Sequence, residues 1–237
     1  MLFGRDLETA HLVDLLAQAR HGSSASLVVH GEPGVGKSAL LEAFVAGAGD
    51  ALVLRALGLE VEAPLAFAAL HRLLLPVMRL REHLPGPQAR ALRVAFGEED
   101  GPVIEPFLVA VATLSMLTAA AEESTVLCVV EDAHWLDSAT TDALLFCARR
   151  LGADRMLMVF SARDGAATAF RPAGIGDLQL GGLDPAAARE LLDQRLGDTA
   201  PEVTHRLITE SGGNPLALLE LPTELSPDQL GGSLPLP

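Results

Sequence analysis

The alternation of apolar and polar positions divides the chain into short apolar runs separated by longer amphipathic stretches. Residues 6–20 carry Leu7, Leu12, Leu15 and Leu16, which predicts a helix with those leucines toward the core. Asp6 is its expected cap, and His21-Gly22-Ser23-Ser24 its end. Residues 26–30 carry a short apolar run with the β-branched pair Val28-Val29 and are bounded by turn formers, so they predict a strand. Residues 38–45 follow as a helix and residues 51–57 as a second strand. A helical pattern over 65–80 is interrupted by Pro76, a short helix is expected over 86–96, and a longer one over 107–122. The run 126–130 is apolar without a break, as for a central parallel strand covered on both faces. Residues 138–151 return to helix, 156–160 form the next buried strand, and 178–180 a short last one. Helices between apolar strands predict a three-layer α/β fold with a mostly parallel central sheet.

Beyond Gly181-Gly182 the strands stop. Residues 185–196, 201–210 and 215–221 each open on a proline and predict three short helices, read as a small lid on the sheet domain. The stretch from Pro222 through Gly231-Gly232-Ser233-Leu234-Pro235-Leu236-Pro237 holds too many breakers to make a domain. The expected organisation is a core domain over 1–181, a lid over 182–223, and a tail or linker over 224–237.

Composition narrows this picture. Hydrophobic residues make up 49% and aromatics 4%, so the core is built mainly from Leu, Val and Ala. A net charge of −14 repels phosphate backbones, and direct DNA binding by this segment is not expected. Cys128 and Cys147 lie in apolar stretches without metal-like spacing and read as buried free thiols of a reducing compartment. The N-terminus has no signal-peptide pattern, and no uninterrupted apolar run reaches membrane-spanning length. A cytoplasmic protein without a membrane partner is expected.

The segment Gly31-Glu32-Pro33-Gly34-Val35-Gly36-Lys37-Ser38 is a complete match to the glycine-rich phosphate loop, set between a predicted strand and a predicted helix. Its glycines let successive N–H groups point at phosphate oxygens, and the helix behind it presents a positive end to the same anion. Lys37, the only lysine of the chain, would reach the β- and γ-phosphates, and the Ser38 hydroxyl would bind magnesium. The expected nucleotide contacts comprise Gly31, Glu32, Pro33, Gly34, Val35, Gly36, Lys37, Ser38 and Ala39.

The second element is Val126-Leu127-Cys128-Val129-Val130-Glu131-Asp132, a buried strand ending in two acids. Glu131 is the candidate for a metal-bound water or for the Ser38 hydroxyl, and Asp132 for polarising the attacking water. Spacing alone leaves the division of labour between them open. His134 has two readings, a sensor of nucleotide or water and a hydrogen-bonded structural histidine. Trp135 reads as packing, and Asp137 or Ser138 as the cap of the next helix. Arg163, just past the 156–160 strand, is either a cation that reaches the γ-phosphate or a surface partner of Asp164.

In combination these segments resemble the N-terminal ATPase module of the large ATP-binding LuxR-type transcriptional regulators of actinobacteria, within the signal-transducing STAND group of P-loop ATPases. The matching stretches are Phe3-Gly4-Arg5, the phosphate loop, and Glu62-Ala63-Pro64-Leu65-Ala66-Phe67-Ala68-Ala69-Leu70-His71. To these are added Cys128 through Asp137, Leu145 through Leu151, and Gly213-Asn214-Pro215 through Pro222. The resemblance implies that Gly4 and Arg5 line the adenine and ribose side, that Pro215 packs near adenine, and that Arg163 senses the γ-phosphate. It implies ATP or ADP with Mg2+ as ligands, slow hydrolysis used as a switch, and self-association or regulatory domains as partners. Two departures are visible. Glu131-Asp132 stands where the family more often has two aspartates, and such regulators continue through helical repeats to a helix-turn-helix domain. The sequence is therefore expected to be a fragment or a short protein that does not bind promoter DNA itself. The alternatives are a free-standing ATP-binding interaction module and a signalling ATPase module with a different output.

Overall fold

The computed structural model describes residues 2–101, 105–165, 170, 172–197 and 199–234. Helix α1 spans Asp6–Arg20 and buries Leu12, Leu16 and Ala19. Two expectations change here. Arg5 takes the N-cap position without a side-chain cap bond, so Asp6 and Glu8 act as charges at the positive helix end. Leu7 is 85% exposed, because five residues of helix turn it about 140° away from Leu12.

Strand β1 (Ala25–Gly31) leads into α2 (Lys37–Ala46), and β2 (Leu52–Leu57) follows. The pattern over 65–80 is only partly helical. Helix α3 covers Ala68–Leu74, and a 3-10 segment continues over Leu75–His83, where Pro76 near its start removes a backbone donor. Helices α4 (Gly86–Ala95) and α5 (Pro106–Glu123) precede β3 (Val126–Glu131). Then come α6 (Ser138–Ala148), β4 (Met156–Arg163) and β5 (Gly176–Gln179).

The five strands form one sheet in the order β2-β3-β4-β1-β5, and every pairing is parallel. Strand β4 extends three residues past the apolar run, since Ser161, Ala162 and Arg163 pair with Val29, His30 and Gly31. The ladder with β1, not side-chain hydropathy, sets that end and brings Arg163 level with the first glycine of the phosphate loop.

The two sheet faces are visible as a period of two. Val126, Cys128 and Val130 join Met156, Met158 and Phe160 in the cluster under α3–α6. Leu127, Val129, Leu157 and Val159 face the opposite cluster with α1 and α2. Helix α5 is long and apolar enough, by length and composition, to cross a membrane. Here Val109, Ala112, Met116, Leu117 and Ala120 are instead buried in the protein core.

Past Gly182, α7 (Pro185–Leu196), α8 (Pro201–Ser211) and α9 (Pro215–Glu220) build a third apolar cluster around Ala188, Leu192, Val203, Leu207 and Leu218. The expected tail is partly structured: α10 spans Pro227–Leu230, and Leu225 and Leu230 pack on that cluster. The bond from Ala200 N to Leu230 O (3.0 Å) ties it down. Residues 235–237 of the expected tail lie outside the described residues.

Candidate functional site

The carboxyl ends of β1, β3 and β4 meet at one rim, which is where an open parallel sheet places ligands. The phosphate loop leaves β1 there. Gly34 and Gly36 have φ of 77° and 100°, a left-handed conformation that turns successive N–H groups toward the loop's concavity at the start of α2. Lys37 is buried, and its Nζ donates to the carbonyls of Gly31 and Glu32, each at 2.8 Å. Burial pulls its ammonium below the usual lysine range, while Asp132 opposes that effect. Ser38 and Ala39 are exposed on the first turn of α2. The segment thus has the form of an anion cradle: backbone donors, a helix N-terminus and one fixed cation.

Helices α7–α9, the unit expected to form a lid, are built onto this cradle. Asn214 caps α9 by accepting from Leu216 N (3.0 Å) and Ala217 N (3.4 Å), and its Nδ2 donates to Pro33 O at 2.9 Å. Leu216 N also donates to Gly34 O at 3.2 Å. A Cβ on Gly34 would stand 2.6 Å from Leu216 Cβ, so the glycine is required by the lid as well as by the turn. On the other side, the buried Arg5 donates to Glu8 (3.0 Å), Val35 O (3.1 Å) and Gly181 O (2.6 Å). One guanidinium joins the N-terminus, the phosphate loop and the entry to the lid.

Between these parts lies a mostly apolar cavity of about 170 Å³, walled by Leu2, Phe3 and Arg5, by Val35, Gly36 and Ala39, and by Leu183, Leu191, Pro215 and Leu219 of the lid. Gly4 is not among the lining residues. It makes a left-handed turn (φ 55°) against α7, where a Cβ would meet Ala187 Cβ at 2.4 Å.

At the other end of the cradle, Asp132 follows β3 with φ 47° and ψ 46°, a strained conformation for a residue with a side chain. It is held by Asp132 N donating to Ser161 Oγ (3.1 Å) and by Trp135 N donating to Asp132 O (2.8 Å). Gly58 admits the close approach, since a Cβ there would lie 2.3 Å from Asp132 O. Asp132 Oδ1 stands 3.9 Å from Arg163 Nε and 3.9 Å from His134 Nδ1.

Glu131 points elsewhere. Its Oε1 accepts from Arg55 Nη2 at 2.7 Å, in place of the expected bond from Ser38, and the same guanidinium grips Glu42 of α2. These contacts, that with Glu42 first, raise the Arg55 pKa above the usual arginine range. Asp137 caps α6 through Thr140 N (2.7 Å) and also accepts from Phe67 N (2.9 Å), which holds Phe67 at φ 64°.

The structure therefore brings Asp132 within 3.9 Å of Arg163 and leaves both charges near enough to act on Lys37, with Ser38 beside Lys37 in sequence on the first turn of α2. It places Arg5, Val35, Gly36, Ala39 and Pro215 around the cavity, and separates Glu131 by its arginine. Asn214, Arg55 and Gly58 carry roles that the sequence reading did not assign. Asn214 had a usable signal, an N-cap residue before a proline at the first helical position. Arg55 was signalled only as a cation within an apolar strand, and Gly58 gave none.

A family model described as AAA ATPase domain matches residues 1–159. No curated protein matches the chain. Among solved structures, the chain is similar to a Signal Transduction ATPase with Numerous Domains (STAND) protein with a tetratricopeptide repeat sensor from Pyrococcus horikoshii. The identity is 18% and the TM-score 0.52, over 86% of this chain and 28% of that one. It is also similar to a chain in the structure of Drosophila ORC bound to DNA, at 16% identity and a TM-score of 0.52, over 87% of this chain and 49% of the other. Both likenesses concern the fold, and the chain spans less than half the length of either relative.

Proposed function

The chain belongs to the AAA ATPase domain family, and from that premise we propose that it is an ATP/ADP-binding switch whose nucleotide is shared between the sheet domain and the helical lid. The observation that carries this reading is the docking of α9 on the phosphate loop, through Asn214 to Pro33 O and Leu216 N to Gly34 O, over a cavity lined by both parts. A base in that cavity touches lid and loop together. Its occupancy therefore biases lid position, provided the contacts differ between the open and closed states.

The residues fit the nucleotide. The left-handed Gly34 and Gly36 and the α2 N-terminus suit the phosphates, Lys37 supplies a fixed charge, and we assign Arg163 and Asp132, 3.9 Å apart, to the terminal phosphate. Among the described residues no group of three His, Cys, Asp or Glu could hold a metal. Magnesium in such sites rests on one or two protein groups plus phosphate and water, so Ser38 is sufficient in kind, and Glu131 would join it only on leaving Arg55. When bound, the ion neutralises charge on the phosphate oxygens. Hydrolysis would be slow, and its product state rather than its rate would be the signal.

The finer reading is that this switch serves a transcriptional activator of the LuxR type. The ordered series of motifs supports it, and a net charge of −14 is consistent with a segment that does not itself contact DNA. Regulatory domains or further copies would be the partners of the closed or open form.

Calorimetry with ATP–magnesium and ADP tests the premise. Wild type should bind both, and Lys37→Ala should weaken ATP by about tenfold or more, since hydrogen bonds to charged groups are worth roughly 1.5–3 kcal/mol. Equal affinity in wild type and Lys37→Ala would remove Lys37 from the site.

A further inference from the structure

We propose that His134 is a positioning residue that shares one water with Asp132, so that the water is held by an imidazole nitrogen on one side and a carboxylate on the other. This inference rests on the nucleotide site proposed above.

The argument begins with burial. His134 retains 9% of its exposure, and neither Nδ1 nor Nε2 has a hydrogen-bond partner in the protein. A buried imidazole left without partners costs about 1–3 kcal/mol per unmade bond, and native structures rarely leave such groups without a functional or solvent partner. Leucine would fill the same space without that cost, so packing alone does not account for histidine at this position.

The direction of the ring supplies the second observation. Nδ1 faces Asp132 Oδ1 at 3.9 Å, too far for a direct bond but a separation that one water spans with two ordinary hydrogen bonds. The backbone that carries the carboxylate is fixed. It is pinned in the left-handed region by Ser161 Oγ and by the Gly58 approach, and Arg163 Nε faces the same carboxylate oxygen. The ring is held in the 3-10 turn Ala133–Trp135, which buries Ala133 and sets His134 5.1 Å from Trp135 with the rings tilted by 43°.

Burial also lowers the His134 pKa, with Arg163 and Lys37 adding to the effect and Asp132 opposing it. A neutral ring has one N–H and one lone pair, which suits a water that must give its proton to a carboxylate. In the reaction the water oxygen bonds to the terminal phosphorus while the bond to the bridging oxygen breaks. The bridging oxygen keeps that electron pair, and the proton leaves the water toward Asp132. His134 gains and loses nothing; it fixes where the water's lone pair points.

The experiment uses the whole chain with His134→Leu and His134→Asn. Asparagine places an amide close to the Nδ1 position, whereas leucine keeps only volume. Nucleotide affinity, thermal midpoint and single-turnover hydrolysis are measured together, with Trp135 emission, the only tryptophan of the chain, as a readout independent of turnover. The expected result is a loss of about tenfold or more in turnover for His134→Leu, against about threefold or less for His134→Asn. Affinity should be unchanged and the midpoint for the leucine variant equal or higher. The emission difference between ATP and ADP states should disappear in His134→Leu. Wild-type turnover and an unchanged emission difference in His134→Leu overturn the proposal, as does a loss of affinity and midpoint together, which marks a structural histidine. Wild type that binds nucleotide while the variants behave alike sinks only this inference; wild type that binds none sinks the nucleotide reading with it.

Discussion

Asn214 performs two separable tasks, and a pair of substitutions distinguishes them. Its Oδ1 caps α9 and its Nδ2 clasps Pro33 of the phosphate loop. Asn214→Ala removes both. Loss of a cap costs about 1 kcal/mol. Loss of a half-exposed hydrogen bond adds roughly 0.5–1 kcal/mol, at the low end because water competes for the carbonyl. Lid opening should therefore become roughly ten- to thirtyfold more favourable, taking 1.4 kcal/mol as a factor of ten. Asn214→Asp keeps the cap, for Asp and Asn are equivalent there, but turns an acceptor toward the Pro33 carbonyl. That change costs about 1 kcal/mol, or roughly fivefold. Hydrogen exchange reads these numbers directly as faster exchange across α8 and α9, with amides of Val129 and Val159 in the central strands as an unaffected control. If nucleotide requires the closed lid, ADP affinity should fall only by the ratio of closed fractions, which is small while the closed form dominates and grows once it does not. An Asn214→Asp protein that exchanges at the wild-type rate would refute the clasp and leave Asn214 as a cap alone.

Three other outcomes follow from the same geometry. Asp132→Asn should leave ATP affinity within a few-fold and lower single-turnover hydrolysis by about tenfold or more, because the carboxylate beside Arg163 is lost while shape is kept; wild-type turnover would end its proposed role. Arg55→Leu releases Glu131 from a partly exposed ion pair worth about 1 kcal/mol or less, so ATP titrations over a magnesium series should need a few-fold less metal, and Arg55→Leu with Glu131→Gln should cancel the gain. Burial pushes the Cys128 thiol up to about 12, above its unfolded value. The unfolded chain then loses its proton first, so this contribution is complete below about pH 9 and is lost as pH rises toward 12. Urea midpoints should fall with pH over that window, less steeply in Cys128→Ala.

The fold and the phosphate loop were legible in the sequence because both are local in origin. An apolar run such as residues 126–130 declares a buried strand by composition, and the phosphate loop declares its backbone by where glycine occurs. The helices of the lid were equally plain, each opening on a proline at its first position. Helix α1 was found with Leu12, Leu15 and Leu16 toward the core as expected, and only Leu7 was misplaced, since it differs from Leu12 by an angle that the partner surface has to select.

What the tertiary structure alone decided are pairings across distance. The end of β4 at Arg163 was set by its ladder with β1, and the fold of residues 224–234 onto the lid by apolar contacts that no local pattern encodes. The turn of Glu131 toward Arg55 depends on two strands lying side by side, Leu57 opposite Glu131 in register. The strain at Asp132 depends on a glycine in another strand-end loop and on a hydroxyl from β4. Residue type states what a side chain is able to do, and local spacing states which backbone it favours. Which cation each of two acids faces, and which histidine is left with an unmet bond, is fixed only when separate segments compete for the same few ångströms of space.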